Sequence, residues 1–391
     1  MHGLTKKIGL FTLGIMMGFA LLELTVRVFG LAQQTSNFYE PDPLIGTRHV
    51  PNAHGLWRKK DFSTEISFNA EGFRDVDHTK EKTDGVYRIV VLGDSYVEAL
   101  QVPLERAFHR VLADKLSGYI KDKKIEVINF GVSGFGLTQD YLALKHYGYK
   151  YSPDFVILAI TTGNDIRNGH PDLEMDDSRP YFLLDKKGRL YLKPFRQQTG
   201  KGPDIKQRIM NKLFFPHSYV FLSQTLQPLW WQFKAKTKHV KPAQPNVLDT
   251  YVYRTSYSPV WDSAWKATLA VILKINDELR EKGIRLLVLT LSDGDHQIDG
   301  TLQGYLEKRA MNTDSQWDSE RPIKIIGKFC RQNNIAFLPL LYDFRKEYNK
   351  THEKFHFRHD GHWSTRGHEV AAEIIFKKIV QDKMVPAGVD K

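Results

Sequence analysis

Short apolar runs alternate with longer stretches of helical spacing over most of the chain. Residues 87–92 (YRIVVL) could be buried on both faces of a strand and run into Gly-Asp-Ser. Residues 104–120 have helical spacing, and 125–130 (IEVINF) form a second strand-like run followed by Gly131, Gly134 and Gly136. Residues 137–149 are again helical, and 154–161 (DFVILAIT) lead to Gly163-Asn164-Asp165. Further on, the pattern predicts a helix over 263–282, a strand over 284–291 (IRLLVLTL), a helix over 323–333, a strand over 335–340 (IAFLPL) and a closing helix over 365–380. Strands apolar on both sides and separated by helices predict an α/β sandwich around a central parallel sheet.

Two segments break this rhythm. Residues 166–259 are too long for a plain loop and predict an insertion subdomain over or beside the sheet's active edge. Within it, Val220, Phe221, Leu226, Leu229, Trp230 and Phe233 fall near one helical face. Residues 32–85 are polar and hold Pro41, Pro43 and Pro51, which reads as an extended linking or wrapping segment. The main domain is then 86–382, with a short tail over 383–391.

The amino end differs in kind. Residues 8–31 are mostly apolar, and at ~1.5 Å per residue they are long enough to cross a hydrocarbon core of ~30 Å. Lys6 and Lys7 precede them, and after Arg27 the next basic residue is Arg48. The positive-inside asymmetry predicts a cytoplasmic segment 1–7, a transmembrane signal-anchor over 8–31, and a periplasmic or extracellular body. Gly30 and Ala32 also fit a cleaved signal peptide, and a buried core helix is the third reading. Glu23 and Arg27 lie one helical turn apart and are expected to pair.

Composition narrows the classes. A mean hydropathy of −0.41 argues against a multi-span membrane protein. The single cysteine, Cys330, excludes an intrachain disulfide, a cysteine-ligated zinc and an iron–sulfur cluster. The net charge of +11 suggests nucleic acid until it is located: residues 181–241 hold 13 Lys/Arg against 2 Asp/Glu, and the rest of the chain holds 43 of each sign. The basicity belongs to one segment and no nucleic-acid motif accompanies it. That segment is either solvated surface or a contact for anionic phospholipid or an acidic glycan, with Lys234, Lys236, Lys238 and Lys241 following Trp230 and Trp231.

In an open parallel sheet, ligands bind where strands end and helices begin. Those ends carry Ser95, Gly134, Asn164 and, before the last helix, Asp360 and His362. The set fits acyl transfer. A serine hydroxyl needs a base, which His362 can supply, and Asp360 can hold the other imidazole nitrogen. The backbone N–H groups of Ser95 and Gly134 and the Asn164 amide suit an oxyanion hole, with Gly134 leaving room for close backbone approach. Ser95 also opens a helix, whose amino end favours negative charge. Asp165 and Ser133 read as structural and turn residues; Asp295 and His296, after the fourth strand, could face the cleft but read rather as a loop. His356, His359 and His368 lie close enough in sequence to compete with His362 for the role of base.

Gly93-Asp94-Ser95, Gly134, Gly163-Asn164-Asp165, then Asp360 and His362 resemble the ordered blocks of the GDSL/SGNH hydrolase superfamily, over residues 86–165 and 284–382. The resemblance implies a three-layer α/β/α, flavodoxin-like fold and ester or acyl-transfer chemistry without metal or other cofactor. By position it makes Ser95 the nucleophile, Gly134 and Asn164 oxyanion donors, and Asp360 and His362 the rest of a triad. The common family pattern is Asp-x-x-His, whereas this chain has Asp360-Gly361-His362-Trp363. That arrangement is similar to one in alginate O-acetyltransferase-like relatives with a different chain order. A Gly-x-Ser-x-Gly elbow is absent around Ser95, against the α/β-hydrolase fold. The expected function is an exported, membrane-anchored esterase acting on an acyl ester, such as an acetyl ester, of an envelope glycan or lipid. The alternatives are an O-acyltransferase of an extracytoplasmic polysaccharide and a non-catalytic glycan-binding or assembly protein.

Overall fold

A computed structural model describes residues 2–29, 38–195, 218, 221–222, 248–292, 294–302, 304–305 and 317–386. The chain divides into two compact units, one of residues 1–37, 56–63 and 200–244, the other of 38–55, 64–199 and 245–391.

In the first unit, α1 (His2–Val28) is a continuous helix whose stretch Thr5–Val28 is long and apolar enough to cross a membrane by length and composition. Large apolar side chains on it, such as Phe11 and Met17, are exposed, which removes the core-helix reading and leaves an anchor or a signal sequence. Arg27 Nε donates to Glu23 Oε1 at 2.6 Å, the expected one-turn pair. The aromatic face over 214–233 and the basic stretch beyond residue 195 lie outside the described residues, apart from Ser218, Phe221 and Leu222.

The second unit opens with β1 (Tyr39–Asp42) paired antiparallel to β2 (Gly46–His49). A further two-stranded sheet is formed by β3 (His54–Arg58) and β4 (Ser63–Ser67). The sheet proper begins at β5 (Val86–Leu92). It is followed by the one-turn helix α2 (Ser95–Glu98), α3 (Phe108–Tyr119), β6 (Lys124–Asn129), α4 (Leu137–His146) and β7 (Phe155–Thr161). Then come α5 (Asp165–Asn168), α6 (Pro171–Glu174) and the hairpin β8 (Tyr181–Leu184) and β9 (Leu190–Lys193). The long α7 (Pro259–Glu281) returns the chain to β10 (Arg285–Leu291), α8 (Asp295–Ile298), α9 (Arg321–Gln332), β11 (Ala336–Pro339), α10 (Leu340–Thr351) and α11 (Thr365–Gln381).

The five-stranded sheet has the order β6-β5-β7-β10-β11 and all its pairings are parallel. Alternate residues of each strand face opposite sides. Val90, Leu92, Val156, Leu158 and Val288 bury one face beneath Tyr141 and Leu144 of α4 and Val271, Ile275 and Leu279 of α7. Ile89, Val91, Ile157, Ala159 and Leu287 bury the other beneath Leu112 and Leu116 of α3, Phe344 of α10 and Ile375 of α11. The result is the expected three layers, with an apolar amino-terminal helix and an insertion added. The hairpin inside that insertion lies on the α4/α7 side, where Phe182 N–H donates to Thr138 Oγ at 3.0 Å and its ring meets Tyr141 edge-on.

Residues 38–75 are more than an extended connection. His49 Nε2 lies 2.5 Å from Glu98 Oε1, and Tyr39 O–H donates to the same oxygen at 2.9 Å. Asn129 Nδ2 donates to Arg74 O at 3.1 Å and to Val97 O at 2.9 Å. Tyr39, His49 and Arg74 are therefore built into the base beneath α2.

Candidate active site

The strand order places a crossover reversal between β5 and β7, since the chain proceeds from β5 outward to β6 and then back to β7 on the other side. Such a switch point leaves a crevice at the carboxyl ends of the two strands. Ser95 follows β5 and Asn164 follows β7, so they stand on its two banks.

Asp94 ties the banks together. Its Oδ1 accepts from Tyr96 N–H at 3.0 Å, capping α2, and from the Thr161 hydroxyl at 2.8 Å. Its Oδ2 accepts from Asn164 Nδ2 at 3.1 Å. The cap is readable in the sequence, as an Asp before the first helical residue; the ties to Thr161 and Asn164 are not. An amide nitrogen carries two hydrogens, so the bond to Asp94 orients Asn164 and leaves one donor for another acceptor.

Ser95 is nearly buried, and its Oγ lies 2.8 Å from His362 Nε2. His362 Nδ1 lies 2.6 Å from Asp360 Oδ1. With Nδ1–H given to Asp360, Nε2 is the free lone pair and accepts the serine proton. Asp94 Oδ2 is a second acceptor for that proton, but at 3.4 Å it is the weaker one. The structure thus brings Ser95, His362 and Asp360 into one hydrogen-bonded chain.

The neighbouring histidines have other places. His368 is buried and its Nδ1 accepts from Phe108 N–H at 3.3 Å; burial, with the Arg74 charge, holds its imidazole well below the usual range. His356 Nδ1 lies 2.8 Å from Asp295 Oδ1, and His359 is exposed. The loop from His356 to Trp363 closes on itself. Phe357 N–H donates to His362 O at 2.8 Å, Gly361 N–H to Phe357 O at 2.9 Å, and Tyr96 O–H to Gly361 O at 3.0 Å. Tyr96, next to the serine, therefore also fixes the loop that carries the base, a function invisible in a single apolar residue of the sequence.

Ser95, Asn164, Asp360 and His362 line a cavity of about 770 Å³. Three expectations change. Asp295 and His296 form its wall rather than a remote loop: Asp295 opens α8 and is drawn in by His356 and by Phe355 N–H at 3.1 Å. Gly134 lies outside the cavity walls, and a Cβ there would meet only an Arg179 guanidinium nitrogen at 4.0 Å. Its glycine is explained by φ +76°, not by crowding. The crowded position is Gly131, where a Cβ would lie 2.5 Å from Val97 Cβ and 2.7 Å from Glu98 N, so its absence lets α2 sit on the turn after β6. Finally, α2 is only one turn long and ends at Ala99 with φ +57°, so few peptide dipoles add at Ser95 and the helix-end contribution is small.

Behind the crevice lie two further carboxyls. Burial and the nearby Asp94 charge push Asp140 well above the usual carboxylate range, and the same causes together with Asp140 do so for Asp165. Neither Asp140 oxygen has a hydrogen-bond partner at bonding geometry among the described residues, and the Gly93 N–H dipole compensates only slightly. The folded state therefore keeps a proton that the unfolded chain releases above about pH 4. Stability from this group is fully present below that pH and is lost as pH rises toward the raised folded value. Asp140→Asn removes that loss. In thermal melts from pH 4.5 to 9, the variant's melting temperature is expected to gain on the wild type as pH rises. A constant or shrinking difference would refute a neutral Asp140.

No family model matches the chain, and no curated protein matches it. Solved structures do. An acetyl xylan esterase, AlAXEase, is 15% identical, with a TM-score of 0.39 over 75% of this chain and 100% of that one. The acetylxylan esterase Axe2 from Geobacillus stearothermophilus, as a catalytic mutant, is 13% identical, with a TM-score of 0.40 over 77% and 96%. TesA is 11% identical, with a TM-score of 0.37 over 75% and 97%. The solved structures to which the chain is similar thus include esterases of the SGNH/GDSL kind, at scores that by themselves carry no argument about its chemistry.

Proposed function

We propose that the protein is a serine ester hydrolase of the SGNH type that removes a short acyl group, such as acetyl, from an envelope glycan or lipid. The observation that carries this reading is the chain Ser95 Oγ, His362 Nε2 and Nδ1, Asp360 Oδ1, with separations of 2.8 and 2.6 Å, opening on a cavity. Ser95 attacks the ester carbonyl as His362 takes its proton. The imidazolium then protonates the leaving alkoxide, which departs as an alcohol. Water, deprotonated by the same imidazole, attacks the acyl-enzyme and frees the carboxylic acid and the serine. Asp360 holds the imidazolium throughout. The second hydrogen of the Asn164 amide and the Ser95 N–H stabilise the oxyanion, with Gly134 N–H as the third proposed donor. The apolar α1 serves as a membrane anchor with the body outside the cytoplasm, and 86–382 forms the enzymatic domain.

The test is hydrolysis of p-nitrophenyl acetate by the full-length protein in detergent, with mass-spectrometric detection of an acyl group on Ser95. Asn164→Ala is expected to lower kcat by about 10²–10³-fold while Ser95 still acylates, because a donor to the developing charge is lost and the nucleophile is not. A change of less than about threefold would remove Asn164 from the oxyanion hole. Stoichiometric acylation without turnover would instead favour the O-acyltransferase, in which a sugar hydroxyl replaces water. Glycan binding with neither acylation nor turnover would favour the non-catalytic reading.

A further inference from the structure

The cavity wall holds several charges, and most are paired. Asp360 pairs with His362 at 2.6 Å and Asp295 with His356 at 2.8 Å. Asp299 takes Lys354 at 2.5 Å, and Asp249 takes Arg167 at 2.5 Å. Arg358 is different. It lines the same cavity, it is exposed, and no carboxylate or other partner meets its guanidinium among the described residues.

Its backbone is also held in place. Arg358 lies four residues before His362 in the loop closed by the Phe357–His362 and Gly361–Phe357 backbone bonds and by Tyr96 O–H on Gly361 O. The backbone at Arg358 is thus held by the bonds that hold the imidazole, so that only its side chain has to be ordered by a group that binds there. A guanidinium presents a planar fork of donors that matches the oxygens of a carboxylate or phosphate. The surrounding wall is rich in Asp, His, Lys, Thr and Asn side chains, which suits a hydrated carbohydrate better than an alkyl chain.

We propose that Arg358 is an oxyanion-binding subsite: it holds a carboxylate or phosphate carried by the carbohydrate whose ester is presented to Ser95. The inference rests on the esterase reading and names its substrate class as an anionic glycan. The pairing is noncovalent and partly solvated, so it acts on substrate binding and weakens with salt.

The test compares the full-length wild type with Arg358→Ala and Arg358→Lys on O-acetylated xylo-oligosaccharide, O-acetylated galacturonate oligosaccharide and an O-acetylated hexose phosphate. For Arg358→Ala, the ratio of kcat/KM on the acidic substrate to that on the neutral one is expected to fall about tenfold, through KM, because a charge-assisted fork is lost. Arg358→Lys is expected to recover part of it, and added salt to shrink the wild-type ratio. Which acidic substrate responds distinguishes carboxylate from phosphate. An unchanged ratio for both overturns the proposal. If the wild type hydrolyses no ester, the parent reading fails separately. Calorimetry of trigalacturonate, glucose 6-phosphate and xylotriose with Ser95→Ala, with and without Arg358→Ala, then decides. Preferential binding of either anion that disappears with Arg358 upholds the subsite, and no preference overturns it.

Discussion

Ser95→Ala is expected to reduce ester hydrolysis by about 10⁴-fold or more, and His362→Ala by a similar factor, while both variants melt near the wild-type temperature. The size follows from how the three groups act. In the acylation step the imidazole accepts its proton from the hydroxyl at 2.8 Å. Without the base, the serine remains a neutral alcohol; without the serine, the base has no nucleophile to activate. The double variant is therefore expected to be no slower than either single one, a non-additivity that independent contributions cannot mimic. Asp360→Asn tests the third member. It keeps the shape but removes the carboxylate that favours Nδ1–H and the imidazolium, and a loss of about 10³–10⁴-fold is expected. The measurement is steady-state p-nitrophenyl acetate hydrolysis with fluorophosphonate labelling mapped to the modified residue. Labelling at another serine, or more than about a tenth of the activity retained in Ser95→Ala, would sink the assignment.

The parts of the fold legible in the sequence are those where burial is two-sided. In β5, β7 and β10 nearly every side chain faces a layer, so the apolar runs stand out and their ends locate Ser95 and Asn164. Helix α10 did not stand out. It begins directly after β11 with no polar turn between, and only Leu340, Leu341 and Phe344 of its residues are buried, against a majority of polar ones. The four short strands before residue 68 were hidden for a related reason: they are only four or five residues long and their residues are mostly half-buried, polar or proline, so no apolar run marks them. In the site, residue identity revealed the hydroxyl, the imidazole and the carboxylate. It could not reveal Asp94 as the tie between β5 and β7, because that depends on Thr161 and Asn164 arriving from a strand more than sixty residues later. A place in the cleft for Asp295 is open from its position after a strand, but what decides it against a loop is the contact with His356, which the sequence does not show.

Arg74 carries the other large expected effect, on stability rather than on rate. It sits in the stretch that the sequence presents as a polar connection, yet it is fully buried. Its guanidinium donates to Glu98 O at 3.1 Å, to Ala99 O, and to Val102 O at 2.5 Å. These carbonyls belong to the turn that ends α2 and the residues after it, where Ala99 adopts φ +57° and Ala99 O also accepts from Val102 N–H at 3.3 Å. Burial pulls the guanidinium down to about 10, with Glu98, Glu105 and Asp75 opposing the fall, so it remains charged at neutral pH. Arg74→Met fills similar volume but takes the guanidinium bonds from the Glu98 and Val102 carbonyls and leaves the Glu98 and Asp75 charges less compensated. A loss of about 3–5 kcal/mol is expected. That corresponds to a fall of roughly 5–10 °C in melting temperature for a domain of this size. Arg74→Lys is expected to fall between, since one ammonium keeps the charge but cannot span the carbonyls as a fork. The two variants separate charge from geometry: equal melting of Lys and wild type would make the charge sufficient, and equal melting of Lys and Met would make the fork the whole effect. A Met variant that melts within a degree of the wild type would remove the anchor altogether. Because α2 begins at Ser95, the Met variant is also expected to label more slowly with fluorophosphonate at a temperature where it remains folded. Loosening the end of a one-turn helix loosens its beginning, and the 2.8 Å contact with His362 depends on where that turn sits.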